Sequence, residues 1–325
     1  MSDEPGHDGG HGGTRAIIAA LGANLGIAAA KFVAFVFTGA SSMLAEAIHS
    51  VADSGNQVLL LVGGRRARRA ATPEHPFGFG RDRYIYGFLV AIVLFSVGGV
   101  FAVFEGVEKL LHPEPLESPI VAIGVLVIAL ALEGFSLRTA KRETDELRPP
   151  GQSYWSFIRT ARAPELPVVL LEDTAALLGL VLALLGVGLS TLTGSPVFDG
   201  LGTICIGLLL VGVAAILGVE TKSLLLGEAA TPEAQRRIVA ALEADGAGFS
   251  VIHMRTQHLG PEELLVAAKI AVRHDETAAS IARAIDEAEA RVRAAEPSAR
   301  VIYLEPDLRR PGVGPVEGAS AVLRE

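Results

Sequence analysis

The sequence predicts an α-helical membrane protein with six transmembrane helices, followed by a small α+β cytosolic domain of order α-β-β-α-β. Half of the 325 residues are hydrophobic, and the charged residues, 20% of the chain, are crowded outside six long apolar stretches. A spanning helix needs about 20 mainly apolar residues, because lipid offers no hydrogen-bond partners to an open backbone. The single cysteine, Cys205, excludes an internal disulfide framework, and the net charge of -8 argues against a nucleic-acid-binding protein.

The apolar stretches set the predicted domain organisation. The predicted spans are residues 16–37, 41–62, 84–111, 120–140, 166–189 and 197–219, with boundaries good to about three residues. The chain then divides into a disordered cytosolic tail at 1–15, a transport domain at 16–225, a cytosolic domain at 226–308 and a flexible tail at 309–325.

Positive charge in the connections predicts the orientation. The connections after the second and fourth stretches hold these basic residues: Arg65, Arg66, Arg68, Arg69, Arg81 and Arg83, then Lys141, Arg142, Arg148, Arg159 and Arg162. Cationic loops stay on the cytoplasmic side, so both termini are expected inside. The first residues have no transit-peptide character, which favours a bacterial plasma membrane.

The connection between the fourth and fifth stretches also carries apolar and aromatic residues beside its arginines: Tyr154, Trp155, Phe157 and Ile158. This pattern suits a short helix in the headgroup layer. An ordinary loop that packs on the soluble domain fits the pattern equally well.

The soluble domain shows clear element boundaries. Thr231-Pro232-Glu233 predicts a helix start, with a capping hydroxyl, a proline in the first turn and an acid near the positive helix end. That helix is expected to end near Gly246 and Gly248. Two strands joined at Gly260-Pro261, a second helix and a last strand at 301–304 follow, with both helices over one face of the sheet.

Polar residues in the second stretch lie on one stripe of its helix, at spacings of three and four: Glu46, His49, Ser50, Asp53 and Gln57. An ionisable residue inside a span costs a few kcal/mol and is seldom found there without a use. His49 and Asp53, at i and i+4, could present two ligands to a divalent ion. A buried hydrogen bond that ties helices together is the alternative.

Acidic residues also interrupt the fourth, fifth and sixth stretches. Glu172 and Asp173 stand side by side in an apolar run and point about 100° apart, so at most one faces a given spot squarely. A cavity or cation would explain them, and a charge pair to Arg or Lys is the alternative. Glu133 could carry protons or bond to Glu172. Asp199, at the start of its stretch, is explained by snorkelling or capping.

Four sequence strings carry a resemblance to a known family. The second-span string at 45–53 (AEAIHSVAD), the string at 75–80 (HPFGFG) and the small terminal domain resemble the cation diffusion facilitator family of zinc and manganese efflux carriers. The likeness covers about residues 16–307. The strings at 170–176 (LLEDTAA) and 193–199 (TGSPVFD) are similar to the zinc transporter nine branch of that family.

The resemblance implies a four-coordinate metal site between the second and fifth spans. His49 and Asp53 match the two ligands that the family places on the second span, and Asp173 matches the last ligand. The remaining family position falls on Val169, which cannot bind a metal. Glu172 is the expected substitute, with water as the other possibility.

Two auxiliary metal sites of the family are incomplete in this sequence. In the loop site His75 is retained, whereas the matching second histidine is Phe79. In the terminal domain His253 matches one ligand position, but others fall on Lys269 and Leu304. We expect neither place to hold a metal as a full site.

We therefore expect the protein to be a divalent metal efflux transporter that exchanges zinc for protons by alternating access. We do not expect it to be an enzyme. A metal ligand must be neutral histidine or ionised carboxylate, so protonation of the ligands weakens binding. Glu46 and Glu133 are the candidates for a proton or polar relay. The expected partners are the metal ion, protons, the lipid bilayer and a second copy of the chain through the terminal domain; no prosthetic group is expected.

Three alternatives remain open. A non-transporting membrane scaffold or regulator would explain the missing ligand at Val169. A manganese, iron or cobalt exporter would use the same ligand types, because histidine and carboxylates do not select zinc by affinity alone. An organic cation could also pass through an acid-lined cavity.

Overall fold

The computed structural model describes residues 10–244 and 250–308, and their side chains from residue 24 onward. Most of the two predicted tails therefore lies outside the described residues. The chain forms two compact units. The helical unit comprises Met1–Gly63 and Ile85–Thr221, and the mixed unit comprises Gly64–Tyr84 and Lys222–Glu325.

Every predicted span is helical. The helices are α1 (Gly10–Thr38), α2 (Ser41–Ala67), α3 (Asp82–Val93), a π-helical segment (Leu94–Val100), α4 (Phe101–Leu111), α5 (Pro119–Leu147), α6 (Tyr154–Thr160), α7 (Glu165–Thr193) and α8 (Val197–Leu226). α1 begins six residues before the predicted start at residue 16. An existing helix extends cooperatively through a segment that contains no proline.

Among the described residues, four helices are long and apolar enough to cross a membrane: Asp82–Leu111, which joins α3, the π-helical segment and α4, together with α5, α7 and α8. α2 falls short because its polar stripe lowers the hydropathy. The fully described part of α1, Asn24–Thr38, is apolar but shorter. The α-helical membrane class is confirmed, and within the described residues four of the six predicted spans are long and apolar enough to cross a membrane.

Glycines bring the third hydrophobic segment close to α8. A Cβ on Gly99 would lie 2.7 Å from Cγ2 of Val211, and one on Gly106 would lie 2.8 Å from the carbonyl oxygen of Gly200. Small residues allow such a close approach, which is a common way for helices to pack in lipid. The helices are therefore held by backbone proximity as well as by apolar side chains.

Asp199 caps α2 from a different helix. It is buried in the first turn of α8 and accepts hydrogen bonds from the backbone N–H of Ser41 (2.8 Å) and from its hydroxyl (3.0 Å). The Ser42 hydroxyl donates to its second oxygen. The sequence left snorkelling and capping open; the structure favours capping, and the capped helix is α2.

We expect Asp199→Ala to lower the free energy of unfolding by about 2–3 kcal/mol, because both serine hydroxyls and the first turn of α2 lose a buried charged acceptor. Denaturant titration of the detergent-solubilised protein measures this. Glu146→Ala, which removes an exposed acid on α5, should cause little measurable change. Equal stabilities for the two variants would show that the cap is unimportant.

The connecting helix α6 packs on the helical unit. Ser153 caps it by accepting from the N–H of Ser156 at 3.1 Å. Ile158 is buried against Ala140 of α5 and Leu170 of α7. Trp155 remains half exposed. Of the two interpretations left open by the sequence, a short helix is therefore present, and its buried side contacts the helices of the helical unit.

The mixed unit has the predicted α-β-β-α-β order: α9 (Pro232–Leu242), β1 (Ser250–Gly260), β2 (Glu263–Ala271), α10 (Ala278–Ala295) and β3 (Ala299–Asp307). β2 pairs antiparallel with β1 and parallel with β3. α9 contacts β1, α10 contacts β3, and the two helices contact each other. The predicted fold of this part is confirmed.

Local chemistry explains the boundaries of the mixed unit. The Thr231 hydroxyl accepts from the N–H of Ala234 at 3.3 Å, which is the predicted helix cap. The turn after Gly260 joins β1 to β2 as predicted. α9 ends at Leu242, and the two glycines expected to end it lie outside the described residues.

Candidate metal site

α2 carries the predicted histidine and carboxylate pair within the helical unit. His49 is almost fully buried, with 1% of its side chain exposed, and Asp53 is 15% exposed. The Nδ1 atom of His49 lies 3.5 Å from Oδ1 of Asp53. The i,i+4 spacing therefore places the two side chains together, as the sequence predicts. The π-helical segment adjoins them, since a Cβ on Gly98 would lie 4.0 Å from Nδ1 of His49.

A buried ion pair lies on the same face of α2. Nζ of Lys31, on α1, is 3.0 Å from Oε2 of Glu46, and neither side chain has any exposed surface. The ammonium also donates to the hydroxyl of Ser50 at 2.9 Å. Sequence reasoning missed Lys31, although it is the sole charged residue of the first apolar stretch. A lone lysine in a span needs an acidic partner, and Glu46 supplies it.

Several buried polar atoms of α2 have no hydrogen-bond partner in the described part of the chain: Glu46 Oε1, both ring nitrogens of His49, Asp53 Oδ1 and Asn56 Oδ1. Buried polar atoms are nearly always satisfied, so each such atom calls for an explanation. These atoms follow one stripe of one helix, and all can accept or bind a cation. The stripe therefore has the donor chemistry of a cation site.

The two acids of α7 bond to different helices. Glu172 accepts a hydrogen bond from Nδ2 of Asn56 on α2, at 2.6 Å. Asp173 accepts from the hydroxyl of Ser136 on α5, at 2.9 Å. The sequence singled out Gln57, whereas the buried amide that meets α7 is that of Asn56, one position earlier.

Val169 makes apolar contacts. It is partly buried against the cluster of Ala140, Ile158 and Leu170, formed where α5, α6 and α7 meet. Glu172, three residues later on α7, reaches α2 through its hydrogen bond with Asn56.

Carboxyl groups cluster around the polar stripe of α2. Glu133 on α5 interacts electrostatically with Lys31, Asp53 and His49, and His49 interacts in the same way with Asp173. Glu46 and Asp53 also interact with Lys31, and Glu172 interacts with Asp53. Ionised carboxylates in such a cluster attract a divalent cation.

The predicted ligands form separate pairs in this structure. Within residues 24–244 and 250–308, no three His, Cys, Asp or Glu side chains stand close enough to hold a metal ion together. His49 faces Asp53, while Glu172 and Asp173 are engaged by Asn56 and Ser136. Coordination by all four would require the acids of α7 to approach His49 and Asp53, and each acid could bind the cation through the carboxylate oxygen that its hydrogen bond does not use.

At the position of the family's loop site, which the sequence predicts to be incomplete, aromatic packing takes the place of ligands. The rings of His75 and Phe79 meet edge to face, with centroids 4.7 Å apart. The guanidinium of Arg69 lies 4.5 Å from the centroid of the Phe79 ring. His75 is thus held by an apolar neighbour where a metal site would need another ligand.

At the position of the family's terminal-domain site, which the sequence also predicts to be incomplete, a lysine lies between two carboxylates. Nζ of Lys269 is 3.0 Å from Oε1 of Glu305 and 3.1 Å from Oδ2 of Asp307. These hydrogen bonds raise the pKa of Lys269, and the bond to Glu305 contributes more than the bond to Asp307. The ammonium group therefore neutralises acids on β3 beside His253, its register partner on β1.

A model of the cation efflux transmembrane domain matches residues 17–226. The chain is 37% identical over 231 residues to the mitochondrial proton-coupled zinc antiporter SLC30A9 of Homo sapiens, which covers 71% of this chain and 41% of the relative. It therefore spans about two-fifths of that protein's length.

Two further relatives lie at lower identity. Metal tolerance protein C4 of Arabidopsis thaliana is 28% identical over 257 residues, covering 79% of this chain and 56% of the relative. The cation-efflux pump FieF of Salmonella arizonae is 27% identical over 254 residues, covering 78% of this chain and 79% of the pump. All three names describe transport or tolerance of metals or cations.

Proposed function

The chain belongs to the cation efflux family, and from that premise we propose that it carries a divalent metal cation, zinc in the first place, across a membrane in exchange for protons. The proposed ligands are His49, Asp53 and Asp173, with Glu172 in place of the ligand missing at Val169. The protein acts as a carrier, not as an enzyme, and uses no prosthetic group.

One observation carries the proposal: the stripe of buried, unsatisfied polar atoms on α2. The imidazole and carboxylate groups of His49 and Asp53 are ligands that zinc accepts, and the acids of α7 can complete four-coordination. Manganese, iron and cobalt accept the same ligand types, so the choice of zinc rests on the similarity to the human zinc antiporter.

Proton coupling follows from the chemistry of the ligands. Imidazole and carboxylate bind metal only when deprotonated, so metal and protons compete for the same atoms. Release into a more acidic compartment is therefore favoured. Glu133, close to the charges of Asp53 and His49, is the proposed proton relay, whereas Glu46 serves as a polar partner of Lys31.

A flux assay in proteoliposomes tests the function. A pH-sensitive dye inside the vesicles should report proton movement when zinc is added to the wild-type protein. The double variant His49→Ala/Asp53→Ala should reduce this flux by more than about 100-fold. Mutation of a residue that only hydrogen-bonds to a metal ligand already lowers metal affinity or activity by about 10–100-fold.

The control uses a second histidine and acid pair with the same spacing. His112 and Glu108 at the end of α4 are also i,i+4 partners, with Nδ1 and Oε1 2.9 Å apart, but both are well exposed. His112→Ala/Glu108→Ala should leave the flux unchanged. Undiminished flux in the His49/Asp53 variant would refute the site. Flux that arises only after Val169→His would instead favour the non-transporting alternative.

We further propose a homodimer in a bacterial plasma membrane, with both termini in the cytoplasm. The sheet order β1-β2-β3 leaves β1 and β3 as edge strands of the terminal domain, and an edge strand can pair with a second copy. Mass determination of the solubilised protein, with and without the terminal domain, distinguishes dimer from monomer.

A further inference from the structure

A cavity of about 530 Å³ in the mixed unit is lined by arginines from separate segments. Arg68 and Arg69 follow the last residue of α2, Arg83 lies at the start of α3 and Arg300 belongs to β3. We call it the arginine cavity. Its volume falls in the range of small-ligand sites, about 300–1,000 Å³. Nothing in the proposed transport of metal uses it.

Backbone packing builds one wall of the arginine cavity. A Cβ on Gly80 would lie 2.9 Å from the carbonyl oxygen of Leu259, and one on Gly260 would lie 2.9 Å from Cα of Gly80. The loop before α3 and the turn after β1 therefore touch without side chains between them. Since only glycine permits this approach, the wall is a built feature of the mixed unit.

The charges in the arginine cavity are unbalanced. Its two lining acids make long contacts: Arg83 Nη1 is 3.5 Å from Glu262 Oε1, and Arg300 Nη1 is 3.6 Å from Glu263 Oε1. Strong charge-assisted bonds are about 2.7–2.9 Å, and a guanidinium has five N–H donors. Each of these two ion pairs is therefore weak.

Two arginines of the cavity have no acidic partner. Within the described residues, no carboxylate forms an ion pair with Arg68 or Arg69. The guanidinium of Arg69 stacks over Phe79 at 4.5 Å from the ring centroid. Stacking fixes the plane of the group and leaves its N–H edge available to a planar or tetrahedral oxyanion.

We propose that the arginine cavity binds a phosphate group, and that its source is the headgroup of an anionic phospholipid. Guanidinium groups bind phosphate through paired N–H donors, and basic clusters directly beyond a membrane helix attract anionic lipids. Arg68 and Arg69 directly follow Ala67, the last residue of α2. Cytoplasmic loops of membrane proteins are generally rich in positive charge, which could explain the number of arginines. It does not explain why arginines from separate segments line one cavity.

Native mass spectrometry of the full-length protein, released from detergent micelles, tests the lipid site. The wild-type protein should retain phosphatidylglycerol in preference to phosphatidylcholine. Arg68→Gln/Arg69→Gln should weaken phosphatidylglycerol binding by about 30-fold, at about fivefold for each arginine near a lipid surface. Arg300→Gln, on another element, should weaken it in the same direction. Unchanged thermal unfolding without lipid establishes that these variants are folded.

The matched control is Arg142→Gln on α5, an arginine that is 84% exposed and lies outside the cavity. Its phosphatidylglycerol binding should equal that of the wild type. A second experiment adds inorganic phosphate. If phosphate displaces the lipid only above millimolar concentration, the bound phosphate group comes from the lipid. If inorganic phosphate binds tightly on its own, the ligand is a soluble phosphate and the lipid proposal is wrong. Equal lipid binding by the cavity variants and Arg142→Gln would overturn the proposal.

Discussion

Lys31→Met is expected to lower the free energy of unfolding by about 3–5 kcal/mol, because it leaves the buried carboxylate of Glu46 without its countercharge. Lys31 and Glu46 are 3.0 Å apart with no exposed surface, so solvent cannot replace the lost partner. Unfolding by SDS titration in mixed micelles measures the change. The ion pair also links α1 to the helix that carries His49, so transport should fall with stability.

A double-variant cycle isolates the pair. Lys31→Met/Glu46→Gln removes both charges together and should lose less stability than Lys31→Met alone, because no unpaired charge remains. Lys222→Met is the control, since it makes the same chemical change at an exposed position on α8 and should have no measurable effect. Purely additive losses in the cycle would show that the two side chains do not interact.

Asp173→Asn should weaken zinc binding by more than about 100-fold. Mutation of a residue that only hydrogen-bonds to a metal ligand lowers metal affinity by about 10–100-fold, and loss of the ligand itself should lower it further. The amide keeps the size of the side chain and can still bond to Ser136, so the fold should persist. Zinc affinity is measured by competition with a chelating dye, and flux is measured in proteoliposomes.

Glu172→Gln distinguishes the substitute ligand from a structural acid. If Glu172 replaces the ligand missing at Val169, this variant should also lose affinity, although its hydrogen bond with Asn56 can be kept. Glu146→Gln, at an exposed acid of α5, should bind zinc like the wild type. Wild-type affinity in Asp173→Asn would contradict the assignment of α7 as a ligand helix.

The sequence was sufficient to predict the helices and the histidine and carboxylate pair. Long apolar runs have few alternatives to a helix in lipid, and i,i+4 spacing places His49 beside Asp53 without reference to any other element. The same holds for the cap at Thr231, where a local hydroxyl and a local N–H meet. In each case the interaction lies within one or two turns of the chain.

Contacts between helices could not be predicted in the same way. Whether Asn56 or Gln57 meets Glu172 depends on the rotation of α2 relative to α7, which periodicity leaves free. Lys31 is a lone charge in an apolar run, which indicates an acidic partner, yet several acids of the other stretches could have been that partner. The capping of α2 by Asp199 joins residues far apart in sequence, and no local pattern specifies that pairing.

The most direct test of the carrier account is anomalous scattering from a zinc-soaked crystal, recorded on both sides of the zinc absorption edge. We expect a peak between α2 and α7, about 2.0–2.2 Å from a ring nitrogen of His49 and from oxygens of Asp53 and Asp173. A zinc-saturated crystal that shows no peak beside His49 would contradict this assignment of the ligands.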